Sequence, residues 1–323
     1  MRFIVDLNLN ILVTAVGGDI GQNVVKCLRE SGHLWHLYGC DMDKYAGGRK
    51  LVERFKQVPI ASHPEYLSVI DEMIKEYEID FVIPIAEPEI AVFNKNRQYN
   101  ALINNEFILD RFLDKYTTIQ FFKEYGFLYP ETYLMKDYKG QLGFPVFLKE
   151  RQSRSGVGRV KVNDLSDLNY YRLKMPNCIV QKYIGNEDAE YTVGVFSDRK
   201  QTYYIVFRRY LGYGSLSKFV ELCYFPELDP IIERIADKCQ LDGSINIQFR
   251  KTEEGFIPFE INPRLSSSVY FRHYFGFQDV LWWLYSKTGQ EFTYVRRIGR
   301  ETVNEYHHKG IGVRIVGEVF FEG

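Results

Sequence analysis

The sequence predicts a parallel α/β layer followed by an α+β body. Three observations carry that class. An apolar strand, Ile11-Leu12-Val13-Thr14-Ala15-Val16, runs into the glycine turn Gly17-Gly18-Asp19-Ile20-Gly21, then a helix and a second strand, the opening of a βαβ unit. Two alternating runs, Ser244–Arg250 and Phe256–Arg264, flank the short connector Thr252-Glu253-Glu254-Gly255 and read as a hairpin. Apolar residues make up 46% of the chain and aromatics 16%, enough for a sizeable core and too much for general disorder.

The 323 residues predict two or three structural units. A net charge of −1 gives no reason to expect nucleic acid as a partner. No apolar run approaches the ~20 residues that span a bilayer, and Met1–Asp6 lack the basic flank of a secretory leader. Cys27, Cys40, Cys178, Cys223 and Cys239 are odd in number and form no Cys-x-x-Cys pair. That usage suits a reducing compartment and predicts a cytoplasmic protein without membrane partners. His33 and His36 have no companion ligands near them in sequence, so zinc is not expected.

In the first unit a helix through Val24, Val25 and Leu28 stops at Ser31-Gly32, and His36–Asp41 is the next strand. The glycine turn invites a dinucleotide reading, with Asp41 as the ribose acid. In G-x-G-x-x-G, however, Gly18 and Gly21 would leave Val16 at the first glycine position. A Rossmann-like layer using glycine for a tight turn is the better reading. Leu67, Ile70, Ile74 and Tyr77 recur at helical spacing, and the strand Phe81–Ile85 ends in Ala86-Glu87-Pro88-Glu89. Ligands bind beyond the carboxyl ends of such strands, so Glu87 and Glu89 are candidate substrate contacts. Both equally suit the first turn of a helix, where acids complement the dipole.

Composition shifts near residue 108. Asp114 can cap a helix through Ile119, Phe122 and Tyr125, with Lys115 in its first turn. A cation there opposes the dipole and calls for a nearby anion. The strand Val146–Glu150 enters Arg151-Gln152-Ser153-Arg154-Ser155-Gly156-Val157-Gly158-Arg159, whose N–H groups, hydroxyls and cations suit phosphate oxygens. It is not a Walker A loop, and a plain surface hairpin would have the same composition. The strand Asn177–Ile184 leads to Glu190-Tyr191-Thr192, and strands Gln201–Arg208 and Phe219–Tyr224 bracket a glycine-rich loop flanked by Arg208, Arg209 and Lys218, which are candidate contacts for a substrate carboxylate and equally suit a solvated basic face. A helix from Leu228 to Gln240 then reaches the hairpin.

Side chains two apart on a strand share a face. Ile245, Ile247 and Phe249 therefore lie on one side, and Ile257, Phe259 and Ile261 are expected to do the same. Gln248, Glu260 and Asn262 then converge on a polar face of hard oxygen donors, the kind Mg²⁺ prefers, with room left for phosphate and water. An ordinary solvated face would show the same alternation.

The order of these features resembles the ATP-grasp superfamily, and within it a carbamoyl-phosphate-synthetase-type unit. The match is carried by Asn246-Ile247-Gln248-Phe249, by Phe259-Glu260-Ile261-Asn262-Pro263-Arg264-Leu265-Ser266-Ser267-Ser268 and by the Gly276-Phe277 turn. The resemblance covers most of residues 1–290. It implies an ATP-grasp fold with an N-terminal Rossmann-like domain over 1–107, a small lid over 108–183 and a large subdomain with the metal site over 184–323. It also implies an ATP-dependent carboxylate–amine ligase working through an acyl phosphate. Lys115 and Lys149 would hold phosphates, and Ser153, Ser155 and Gly156 would close over them. Gln181, Lys182, Tyr183 and Ile184 would meet adenine, and Glu190 the ribose. Gln248, Glu260 and Asn262 would ligate Mg²⁺ or Mn²⁺, and Arg264 would face the transferred phosphoryl group.

Two departures stand out. Lys182 occupies a position where many relatives carry Glu, and Gln248 replaces the Asp of D-alanine–D-alanine-ligase-type members. Only one synthetase unit is present, so the expectation is the joining of a metabolite or sugar-linked carboxylate to an amine rather than carbamoyl phosphate synthesis. A homodimer is compatible with this. Carboxyphosphate chemistry, a nicotinamide-dependent oxidoreductase and a non-catalytic ATP-binding module are the rival readings.

Overall fold

Strands β1 (Asn10–Val13), β2 (His36–Asp41), β3 (Arg54–Gln57) and β4 (Phe81–Ile83) form a parallel sheet in the order β3-β2-β1-β4. The structure, a computed structural model, describes residues 8–152, 158–212, 216–294, 297–298, 301–302 and 310–315. Helix α1 (Asp19–Glu30) forms because Val24, Val25, Cys27 and Leu28 share one buried stripe, and Gly32 follows it at φ +82°. Helices α2 (Tyr66–Glu76) and α3 (Glu87–Lys95) complete this Rossmann-like layer.

Its glycine turn is filled by protein. The Gly17 amide donates to Asp41 Oδ2 at 2.8 Å, and a Cβ on Gly48 would stand 1.9 Å from the Val16 carbonyl oxygen. The glycines serve close packing, and the Asp41 carboxylate holds the turn and the Asp43 amide rather than a ribose.

Helices α4 (Glu106–Phe112) and α5 (Lys115–Glu124) come next. Strands β5 (Thr132–Leu134), β6 (Val146–Glu150), β7 (Arg159–Val162) and β8 (Cys178–Lys182) make a small antiparallel sheet in the order β5-β8-β6-β7, with α6 (Leu165–Lys174) between β7 and β8 in sequence. The larger sheet starts with β9 (Glu190–Asp198), β10 (Thr202–Leu211) and β11 (Ser217–Cys223). After helix α7 (Asp229–Lys238) it continues with β12 (Asp242–Thr252) and β13 (Gly255–Asn262). Helices α8 (Val269–Tyr274) and α9 (Asp279–Thr288) follow, then the short pair β14 (Arg297–Ile298) and β15 (Glu301–Thr302). The last strand, β16 (Ile311–Val313), closes the larger sheet in the order β13-β12-β9-β10-β11-β16.

This sheet is buried on both faces. One face joins Phe196, Phe207 and Val220 to α1, α8, α9 and the first layer in a single core that includes Val13, Leu28, Trp282 and Trp283. The other packs Val193, Ile245, Ile247 and Phe249 on Phe121, Phe122, Ile232 and Ile235. Residues 108–183 thus do not share one core. Ile108, Phe112 and α5 belong beneath the large sheet, and the small sheet has its own core around Leu148, Val162, Leu168 and Val180. Sequence order groups these segments, but α5's apolar face is buried by the large sheet. No helix among the described residues is long and apolar enough to cross a membrane.

Candidate active site

Strands β12 and β13 pair Asn246 with Asn262 and Gln248 with Glu260, then slip, so that Phe249 faces Pro258. Phe259 is the extra residue, a bulge that shifts the strand's phase. The expected inward set of Ile257, Phe259 and Ile261 is therefore broken. Phe256 and Ile261 enter the core, while Phe259 lines a cleft together with Glu260 and Asn262. Pro258 is the sequence signal for this, because proline cannot donate a ladder bond and sits at edges and bulges.

The cleft has a volume of about 460 Å³, within the range of small-molecule sites. It lies between the small sheet, the large sheet and the first layer. Seven cationic residues line it against four acidic ones, so it favours an anion.

Lys149 projects from β6 to Gln181 Oε1 at 2.8 Å, with its ammonium 4.6 Å from the Phe259 ring centre. Burial between these groups lowers its pKa to about 8, against the partial support of the Glu260 carboxylate. Lys115 opens α5, capped by Asp114, whose Oδ1 accepts from the Tyr116 amide at 2.8 Å. Asp114 also takes Arg151 in a two-point contact at 3.2 and 2.6 Å, and the Lys115 amide donates to the Arg151 carbonyl at 3.0 Å. The anion that Lys115 calls for is Glu260. Desolvation pushes the Glu260 carboxyl up, but Lys115, Lys149, Arg209 and the Asn262 amide together hold it below the usual carboxylate range. Asn262 Nδ2 donates to Glu260 Oε1 at 3.1 Å, which leaves Asn262 Oδ1 as an acceptor.

Both oxygens of Glu190 are taken by arginine. Arg209 Nε and Nη2 donate to Oε1 at 3.0 and 2.7 Å, and Arg250 Nη2 donates to Oε2 at 2.8 Å. Burial raises its pKa and the two arginines more than reverse that. In this structure Glu190 anchors two cations. Arg209 shares a face with buried Ile205 and Phe207, whereas Arg208 points away to Glu221 at 2.7 Å and Lys218 is exposed. Arg208 and Lys218 thus lie outside the cleft lining; the strand's period of two turns Arg208 to the face opposite Arg209, and Lys218 stands where the β10–β11 register shifts.

Glu87 and Glu89 part company in the same way. Glu89 is buried in the first layer, where Thr14 Oγ1, Tyr66 OH and the Ala86 amide donate to it at 2.6, 3.1 and 3.1 Å. It is a helix-start residue and not a cleft residue; burial pushes its pKa up. Glu87 lines the cleft and accepts from Arg264 Nη2 at 2.8 Å.

Asn246 escapes a search for charged groups. Its Oδ1 accepts from Thr192 and Ser266 at 2.9 Å each, and its buried Nδ2 has no partner on the wall of the cleft. Behind it, fully buried Arg272 donates to Ser266 Oγ at 2.8 Å and to Asp279 Oδ2 at 2.7 Å. Gly194 makes room for this arginine: a Cβ there would lie 2.3 Å from Arg272 Cδ.

From the small sheet Gln181, Lys182, Tyr183 and Ile184 also line the cleft. Ser153, Ser155 and Gly156 lie outside the described residues. No cluster of three His, Cys, Asp or Glu suited to a metal exists among the described residues. Gln248, Glu260 and Asn262 nevertheless offer one carboxylate and two carboxamide oxygens on one wall, a hard donor set that suits a divalent cation partly ligated by phosphate.

Two family profiles match the chain. The first, described as ATP-grasp in the biosynthetic pathway with Ter operon, covers residues 174–302; the second, PylC-like, N-terminal domain, covers 11–107. The N5-carboxyaminoimidazole synthetase of Staphylococcus aureus complexed with ADP superposes with a TM-score of 0.73 at 16% identity, over 89% of this chain and 80% of that one. The chain carries the ATP-grasp fold. Other structures with this fold agree. The biotin carboxylase domain dimer of the Hydrogenobacter thermophilus 2-oxoglutarate carboxylase, with MgADP, ADP and bicarbonate, scores 0.68 at 16% identity over 88% of this chain and 70% of that one. The L-amino acid ligase of Bacillus licheniformis scores 0.68 at 15% identity, over 86% and 73%. No curated protein matches. The ATP-grasp fold with a Rossmann-like first layer is thus what the chain has, as its motifs led one to expect.

Proposed function

We propose that this protein is an ATP-dependent carboxylate–amine ligase. The carrying observation is the convergence of Lys115, Lys149, Gln248, Glu260, Asn262 and Arg264 on one anion-favouring cleft of an ATP-grasp fold. A carboxylate oxygen attacks the γ-phosphorus of ATP, and the bond to the β-phosphate oxygen breaks to release ADP. An amine then attacks the acyl carbon, the C–N bond forms, phosphate leaves and the amine proton passes to solvent or a carboxylate. Phosphoryl transfer of this kind asks for positioning and charge neutralisation more than covalent help.

Lys115 and Lys149 hold the nucleotide's phosphates, and Arg264 offers a planar fork to the transferred group. Gln181 to Ile184 take the base, largely through backbone. Glu190 reaches the ribose while keeping its two arginines in place. Ser153, Ser155 and Gly156 remain part of the phosphate-binding proposal on sequence grounds. Gln248, Glu260 and Asn262 would hold Mg²⁺, or Mn²⁺, which when bound neutralises β- and γ-phosphate oxygens.

The complexes of similar structures with ADP, MgADP and bicarbonate and the L-amino acid ligase among them support this reading. Five free cysteines, four of them buried, fit a cytoplasmic setting. A homodimer, by analogy with the dimeric carboxylase domain, belongs to the same proposal. Screening carboxylate and amine pools for substrate-dependent ADP release tests it. Glu260→Gln should lower that release by about a hundredfold or more, with the melting temperature retained. Unchanged release in the variant would remove Glu260 from the chemistry.

A further inference from the structure

Arg314 joins three segments of the cleft wall from behind. It follows β16, where its amide donates to the Lys218 carbonyl at 2.8 Å. Its guanidinium Nε donates to the Ser217 carbonyl at 2.9 Å, Nη2 to the Ser267 carbonyl and Nη1 to Asp19 Oδ1. The same group packs on the Phe271 ring, 5.3 Å from its centre. Asp19, Ser217 and Ser267 lie 295, 97 and 47 positions away in sequence. They belong to the start of α1 in the first layer, to the start of β11 and to the turn after β13.

Arg314 does not itself line the cleft. Its partners do, or adjoin residues that do: Ile20 follows Asp19, Leu216 precedes Ser217, and Ser267 faces the cleft directly. These three stand on the part of the wall that the nucleotide reading leaves free. Ile20 and Glu87 open helices that follow β1 and β4, at the carboxyl edge of the parallel sheet, where α/β layers hold small ligands. Ser267 Oγ already meets Ser217, whose amide and hydroxyl lie 3.4 and 3.1 Å from it. Arg314 adds the first layer to this contact. A guanidinium suits the task, because its donors share one rigid plane and it keeps its charge. Asp19 is 17% exposed, and among the described residues Arg314 is its one ion-pair partner.

We propose that Arg314 is a positioning residue for the substrate that is not the nucleotide. It holds Ile20, Leu216 and Ser267 in mutual place, so that substrate affinity depends on the strand end after β16, although none of the described residues 310–315 lines the cleft. The inference rests on the ligase reading and adds to that site a residue outside the cleft.

The test uses the full chain with MgATP, hydroxylamine as the amine, and a panel of L-α-amino acids and simple mono- and dicarboxylates, read by ADP release. Arg314→Lys keeps a charge opposite Asp19 and loses the planar fork. It should raise KM for the accepted carboxylate by about tenfold, on the scale of one lost charge-assisted hydrogen bond, and leave the calorimetric Kd for MgADP within about twofold. Asp19→Asn keeps an acceptor and loses the ion pair. It should move the same KM in the same direction by less, and it carries the test alone where Arg314→Lys does not fold. Ile20→Ala should raise this KM too. Because Arg314 acts through Ile20, the double variant should lose less than the product of the two single losses. An unchanged carboxylate KM, an equal loss of MgADP affinity, or strictly multiplicative losses in the double variant would overturn the proposal. No carboxylate-dependent ADP release from wild type would instead remove the ligase reading on which it rests.

Discussion

Lys149 offers the sharpest quantitative handle on the cleft. Burial lowers its pKa from 10.5 to about 8, so this lysine half-titrates near pH 8 in the free protein. An ATP phosphate would replace lost solvation with opposite charge and restore the ammonium. Below pH 8 the lysine is already protonated and binding takes up no proton. Above pH 8 binding must recruit one, and affinity falls by up to tenfold per pH unit until the pKa of the complex is reached. From pH 8 to pH 10 that is as much as about a hundredfold, or about 2.7 kcal/mol at 1.36 kcal/mol per unit. The same shift acts on folding with the opposite slope. The unfolded chain binds more protons between pH 8 and 10.5, so this group's destabilising contribution is full below pH 8 and relieved as pH rises through that window. The assay is titration calorimetry of MgATP in buffers of different ionisation enthalpy. Proton uptake should approach one at pH 9 and be small at pH 7, and Lys149→Met should abolish the difference. Equal uptake at both pH values, or the same uptake in the variant, would mean that Lys149 does not take up the proton on binding.

Two further outcomes follow from groups around the cleft. Asp114→Ala removes both the cap of α5 and the Arg151 contact, and should cost about 1–2 kcal/mol in denaturant-induced unfolding. Arg272→Met leaves the Asp279 carboxylate buried without its partner and should cost about 3–5 kcal/mol by the same measurement, whereas a change of under 1 kcal/mol would mean the site relaxes around the loss.

Local chemistry made much of this protein legible in one dimension. The alternation of Ile245, Ile247 and Phe249 against Asn246, Gln248 and Arg250 is a property of any strand, and the structure keeps it. The helical stripe of α1 and the cap at Asp114 are likewise short-range features, each decided by neighbours in sequence. Phe259 leaves the face that alternation assigns it because a bulge adds one residue to the count, and Pro258 marks the spot. Parity with Phe207 separates Arg208 from Arg209, since only alternate residues of β10 share its face.

Other decisions belong to tertiary structure alone. Periodicity cannot say which apolar surface covers α5, because any complementary face buries the same area; the large sheet does so. Nothing local pairs Glu87 with Arg264 across 177 positions of chain, or sets two arginines on the two oxygens of Glu190. Nor does it aim Asn246 by fixing its Oδ1 on Thr192 and Ser266. Those contacts arise when three layers meet, because charge in a desolvated cleft must find its complement wherever the fold delivers one. Residue identity and spacing set the kinds of groups present and, outside the β13 bulge, the strand and helix faces that carry them. The packing of the layers decided which carboxylate faces which cation, and therefore what the cleft can bind.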